Sequence, residues 1–216
     1  MGLFSKKSKK VSEQVNAPVE ELGLEVTEGS QTDAIEVSPK ESGPWDISEV
    51  DSEIKRIDLG AIKLPGVNGL QFRIEANAQT KQPVGVTVLS DGSAMTLSPF
   101  AAPKSGGLWD DERQEITESI TSQGGSADDV PGLFGREIIA RVPAKNADGK
   151  SGFMPLRFAG FEGNRWYLRI SFSGKAAFDK EAASELEAIL KDVVVDRGQE
   201  AKAPREVLPI VLPVQA

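Results

Sequence analysis

Residues 83–100 read PVGVTVLSDGSAMTLSPF, two runs of apolar and β-branched residues on either side of Asp91-Gly92. An Asp-Gly pair suits the two-residue loop of a hairpin, because both central residues must take positive φ, which aspartate tolerates and glycine adopts freely. The stretch is therefore predicted to form an antiparallel hairpin. Upstream, RIDLGAIKLPG (56–66) and LQFRIEANAQ (70–79) are short alternating runs split by Pro65-Gly66, which extends the hairpin into a meander.

Downstream, LWDDERQEITESITSQ (108–123) places Trp109, Ile116 and Ile120 at helical spacing and stops at Gly124-Gly125, the pattern of an amphipathic helix with a glycine C-cap. REIIARVPA (136–144), FMPLRFAGF (153–161) and RWYLRISFS (165–173) are predicted as three more strands, the last two joined by a tight turn around Glu162-Gly163-Asn164. KEAASELEAILKDVVV (180–195) carries Ala182, Leu186, Ile189 and Val193 on one stripe. Its β-branched end predicts a helix that passes into an extended segment. LPIVLP (208–213), bracketed by prolines, fits only an edge strand or an apolar strap. Meander, helix, meander, helix is an α+β order, an antiparallel sheet of about six strands packed with two helices.

Residues 1–43 are different in kind. Lys6, Lys7, Lys9 and Lys10 are followed by eight acidic residues against the single Lys40, with no aromatic after Phe4. Such a stretch buries too little apolar surface to offset the entropy of ordering, so it is expected to be a disordered acidic arm with a basic tip. Within it, VEELGLEV (19–26) has the composition of a transient helix. Gly43-Pro44-Trp45-Asp46 marks the start of a single domain over 44–216, with Trp45 lying against it.

The chain has neither histidine nor cysteine. The commonest general base, the commonest metal ligands and the strongest side-chain nucleophile are thus all missing, which points away from catalysis and away from a resident cofactor or metal. MGLFSKKSKK lacks the apolar core of a signal peptide and no stretch reaches the ~20 residues of a membrane span, so a cytoplasmic location is expected. The net charge of −8 and pI near 4.8 argue against a general nucleic-acid binder. Yet residues 130–178 carry eight Lys and Arg against three Asp and Glu, a basic segment in an acidic protein.

Strand alternation sends Trp166, Leu168, Ile170 and Phe172 to one face and Arg165, Tyr167, Arg169 and Ser171 to the other. The first set reads as core. The second is an Arg-Tyr-Arg stripe that becomes a basic patch if Arg141 and Arg157 share its face, suited to an acidic protein segment or a phosphate-bearing ligand. The alternative is that these arginines pair with carboxylates of the flanking helices. Asp110, Asp111, Glu112 and Glu115 have the oxygen donors of a metal or acid/base site, but consecutive helical positions diverge, and acidic groups are favoured in a first helical turn. Ser105-Gly106-Gly107 precedes a helix as a phosphate loop would, but the following Asp-Asp-Glu would repel an anion. The N-terminal lysines permit a weak contact with an anionic membrane surface.

Through FAAPKSGGLWDDERQEI (100–116), GLFGREIIARV (132–142), GNRWYLR (163–169) and VVVDRG (193–198), the sequence resembles an actinobacterial family known only as a domain of unknown function. That resemblance implies a bacterial cytoplasmic protein and brings no catalytic residue. Lys104 stands where the family usually has arginine and Asn164 where it usually has proline. The element order is also similar at fold level to the sandwich of PsbP and Mog proteins. The function expected is a non-enzymatic interaction or adaptor protein, with a nucleic-acid or nucleotide binder and a carboxylate-dependent hydrolase as alternatives. The acidic arm would then be a tethered competitor for the basic face.

Overall fold

A computed structural model describes residues 42–51, 53–145 and 149–212. The expectations for an acidic arm, a transient helix within it and a membrane-touching tip fall on residues 1–41 and lie outside the described residues. Gly43 is buried and donates to the Lys191 carbonyl at 2.9 Å, so it is part of the folded domain.

Two sheets carry the fold. The larger has seven antiparallel strands, one more than expected, in the order β4-β5-β6-β10-β9-β8-β7. These are β4 (Gln71–Ala76), β5 (Pro83–Ser90), β6 (Ser93–Ala101), β7 (Ser126–Gly132), β8 (Gly135–Lys145), β9 (Ser151–Glu162) and β10 (Trp166–Ser173). The hairpin at Asp91-Gly92 forms as predicted: Ser90 pairs with Ser93, and Asp91 and Gly92 have φ of 39° and 73°. The unexpected strand is β7, whose SADDVPG sequence has no strand signature. It is an edge strand, and an edge tolerates both proline and carboxylates because one row of its backbone groups needs no partner.

The smaller sheet has the order β1-β11-β3-β2 and gathers β1 (Trp45–Asp46), β2 (Arg56–Asp58), β3 (Ile62–Pro65) and β11 (Val194–Val195). The first run of the expected meander is therefore split off into a sheet of its own. Trp45 lies against the domain as expected, donating to the Val193 carbonyl at 2.8 Å.

Helix α1 (Leu108–Ser122) buries Leu108, Trp109 and Ile120. Helix α2 (Lys180–Asp192) is capped by Asp179, which accepts from the amides of Glu181 and Ala182, and it passes at Val193 into β11. Its buried residues are Ala183, Leu186, Ile189 and Leu190, so Ala183 replaces Ala182 on the stripe.

The helices lie on opposite faces of the large sheet. On one face, α1 covers β7 to β10 and closes a core containing Trp109, Ile120, Ile138, Ala140 and Tyr167. On the other, α2 and the small sheet close a larger core around Val86, Val88, Met95, Leu97, Trp166, Leu168, Ile170 and Phe172. The tail is a strap: Leu208 donates to the Pro99 carbonyl on the large sheet, and Val211 donates to the carbonyl of Leu59 beside the small one. Leu208 is fully buried.

Candidate functional site

The start of α1 shows what Ser105-Gly106-Gly107 does. Gly107 has φ of 88°, which turns the chain into the helix, and the Glu162 carboxylate of β9 accepts from the amides of Gly107 (2.7 Å) and Trp109 (2.6 Å). A protein carboxylate thus sits where a bound phosphate would. The acidic residues of α1 diverge: Asp110 pairs with Arg113, Glu115 takes Arg205 through both oxygens, and Glu112 turns inward.

Under α1, the Trp109 indole lies against Gly160 of β9 and donates from Nε1 to the Arg136 carbonyl at 2.9 Å. Its ring and that of Phe100 flank Tyr167, with centroids 6.2 and 5.9 Å away. The Tyr167 hydroxyl and Arg169 Nη1 each donate to Glu112 Oε2 at 3.3 Å, and Arg169 lies over the Phe100 ring. Burial, reinforced by the Glu112 charge, pushes the Tyr167 phenol far above its ordinary value.

The five residues expected to share one basic face fall in three places. Tyr167 is fully buried beneath α1, and Arg169 stands half-exposed beside it. Arg157 and Arg141 lie on the opposite face, because β9 pairs Arg157 with Phe172, whereas Arg169 pairs with Gly160, and β8 pairs Arg141 with Pro155. Arg165 is exposed in the turn before β10, with φ of 64°. One step of register decides which strand neighbours share a face. The helix ion pairs weighed as the alternative do form, Arg169 with Glu112 of α1 and Arg157 with Glu187 of α2.

Where α2 ends its cover, the large sheet is open over β7 to β9 among the described residues. Direct pairs Ile139 with Arg157, Arg141 with Pro155, Pro143 with Phe153 and Lys145 with Ser151 put these side chains in one row on that face. Phe153 is 62% exposed, and Arg141 and Lys145 are exposed without an ion pair among the described residues.

At the α2 end the row runs into a cleft of about 520 Å³ between the β7–β8 turn and the start of α2. Its floor is a buried ion triad. Arg157 donates from Nε to Glu137 Oε2 at 2.8 Å and from Nη2 to Glu187 Oε1 at 2.6 Å, with its guanidinium carbon 4.4 Å from the Phe172 ring centroid. Glu137 also accepts the Phe134 amide at 3.1 Å, so both of its oxygens are engaged. Arg157 Nη1 makes no hydrogen bond among the described residues. Leu133 and Phe178, 58% and 68% exposed, stand at the mouth. Sequence reading missed this cleft because its charged floor joins residues from three distant elements. A larger cavity along Lys63, Asp196 and Arg197 has Lys63 paired with Asp58, Arg56 bonded to the Asp51 carbonyl and Arg197 Nη1 bonded to the Gly198 and Glu200 carbonyls, while Arg197 Nε is buried without a hydrogen bond among the described residues.

The family model described as "Protein of unknown function (DUF3710)" matches residues 43–216. The chain belongs to that family. The DUF3710 match spans both sheets, both helices and the strap, so the cleft and the open row lie within it. Among solved structures, the solution structure of cyanobacterial PsbP (CyanoP) from Synechocystis sp. PCC 6803 is similar at 11% identity, with a TM-score of 0.34, over 68% of this chain and 97% of that one. Comparison with curated proteins finds no match. No helix among the described residues is long and apolar enough to cross a membrane.

Proposed function

We propose that this DUF3710 chain is a non-enzymatic, cytoplasmic interaction protein that takes an acidic protein segment on the open sheet face over β7 to β9. The observation that carries this is the row of exposed Arg141 and Lys145, without ion pairs among the described residues, alternating with Pro143, Phe153 and Pro155 on a face that neither α2 nor the small sheet covers. Apolar contact area with cations between is what an acidic segment bearing apolar residues matches. The absence of histidine and cysteine from the sequence supports a role without chemistry. Tyr167, the aromatic on which a stacked base would rest, is buried, so the nucleic-acid reading loses the platform it relied on. The diverging carboxylates of α1 give no support to a hydrolase.

The test is fluorescence anisotropy with a short labelled peptide rich in Asp and Glu, titrated with the full chain at low and high salt. Arg141→Glu/Lys145→Glu should abolish binding and leave stability within about 1 kcal/mol, as for exposed charges. Binding unchanged by this double reversal would show that the face is not the site.

A further inference from the structure

We propose that the cleft between the β7–β8 turn and the start of α2 is an anchor pocket, which seats one large apolar side chain of the acidic segment while the segment's own backbone accepts a hydrogen bond from Arg157 Nη1. This rests on the interaction reading above and names what the partner must carry.

Three features of the cleft select that ligand. The first is preorganisation. Two carboxylates and the Phe172 ring hold the Arg157 guanidinium at Nε, Nη2 and its face, so the Nη1 donor has a set direction and loses no rotamer freedom when a ligand arrives. The second is charge. One guanidinium between two carboxylates leaves a local excess of negative charge, so the Nη1 donors are matched to a neutral carbonyl dipole better than to a third carboxylate. The third is the wall. Leu133 and Phe178 hold apolar surface in water at the mouth, with Val130, Pro131 and Ile139 behind them, and about 520 Å³ falls in the size range of ligand pockets.

The cleft is continuous with the open face. Lys180 stands on its rim, and from Arg157 the row passes Pro155, opposite Arg141, to Ser151, opposite Lys145, about 20 Å along a strand. An extended segment with its apolar anchor in the cleft therefore lays its next six or so residues along the exposed cations Arg141 and Lys145. Acidic residues there complete the charge match.

The test uses two labelled acidic peptides of equal length and charge that differ at one central residue, Trp in one and Ser in the other. The Trp peptide should bind the full chain about tenfold more tightly, as central aromatic anchors do. Leu133→Ser/Phe178→Ser, at exposed positions, should erase that preference and leave the salt-sensitive binding common to both peptides. Arg141→Glu/Lys145→Glu should abolish binding of the Ser peptide and weaken that of the Trp peptide at least about tenfold. Replacing the amide after the Trp by an ester, a poorer acceptor, should weaken binding about threefold. Equal binding of the two peptides, or a preference that survives Leu133→Ser/Phe178→Ser, overturns the anchor pocket and leaves the open face standing. An ester as tight as the amide overturns the Arg157 contact. Failure of both peptides to bind overturns the face and the pocket together.

Discussion

Replacing Gly160 by alanine puts a methyl group into the space of the Trp109 indole. A Cβ built there lies 2.3 Å from Trp109 Cδ2, 2.6 Å from Cγ and 2.7 Å from Cε3. Carbon atoms in contact prefer roughly 3.5 Å or more, so the ring must retreat by about 1 Å. Retreat is obstructed, since the indole is fixed by its Nε1 bond to the Arg136 carbonyl and by the Tyr167 ring beside it. Overpacking of this kind costs about 1–3 kcal/mol and a lost hydrogen bond about 1, against which alanine recovers about 0.5–1 by restricting the unfolded chain. The expected net loss is about 1–3.5 kcal/mol, read by urea denaturation with circular dichroism. In a Trp109→Leu background the same substitution should cost under about 1 kcal/mol, because the ring it strikes is gone. A loss below about 0.5 kcal/mol in the natural chain, or equal losses in both backgrounds, would refute the packing of α1 on the sheet through this pair.

Two further outcomes follow from single aromatic residues. Tyr167 is the chain's one tyrosine, so alkaline difference spectroscopy reads it alone. Its folded value is raised above the ordinary value of about 10, so this contribution to stability is full below that pH and is lost above it, as the unfolded chain gains a phenolate that the folded one resists. Phenolate should therefore appear together with loss of structure, and reversible ionisation near pH 10 with an unchanged circular dichroism spectrum would contradict its burial. Trp166→Ala should cost about 3–5 kcal/mol in urea, since the indole is 1% exposed and its Nε1 bonds Asp46 at 2.6 Å. Wild-type stability would remove it from the core.

What could be read from the chain was local. The Asp91-Gly92 hairpin, the span of α1, the passage of α2 into β11 and the inward set Trp166, Leu168, Ile170 and Phe172 each depend on neighbouring residues or on alternation within one strand. What could not be read depends on partners far along the chain. Alternation assigned Tyr167 to solvent because one-sided burial was assumed, whereas α1 covers the second face of β10. Arg157 carries no mark of burial in its own strand. Its partners Glu137 and Glu187 stand 20 and 30 residues away on either side, and only the register of β8 and β9 and the position of α2 bring the three together. The edge strand β7 went unseen because strands with an open side are released from the composition rules that betray buried ones.

β10 lies between two interiors. Its even-numbered side chains from Trp166 to Phe172 fill the core under α2, while Tyr167 fills the core under α1. Neither core can melt while the other keeps its packing, because loosening either one frees a strand that walls both. A chain with two separate apolar clusters is thereby made into one cooperative unit, and the slowest backbone amides to exchange belong at this party wall instead of at the centre of either cluster.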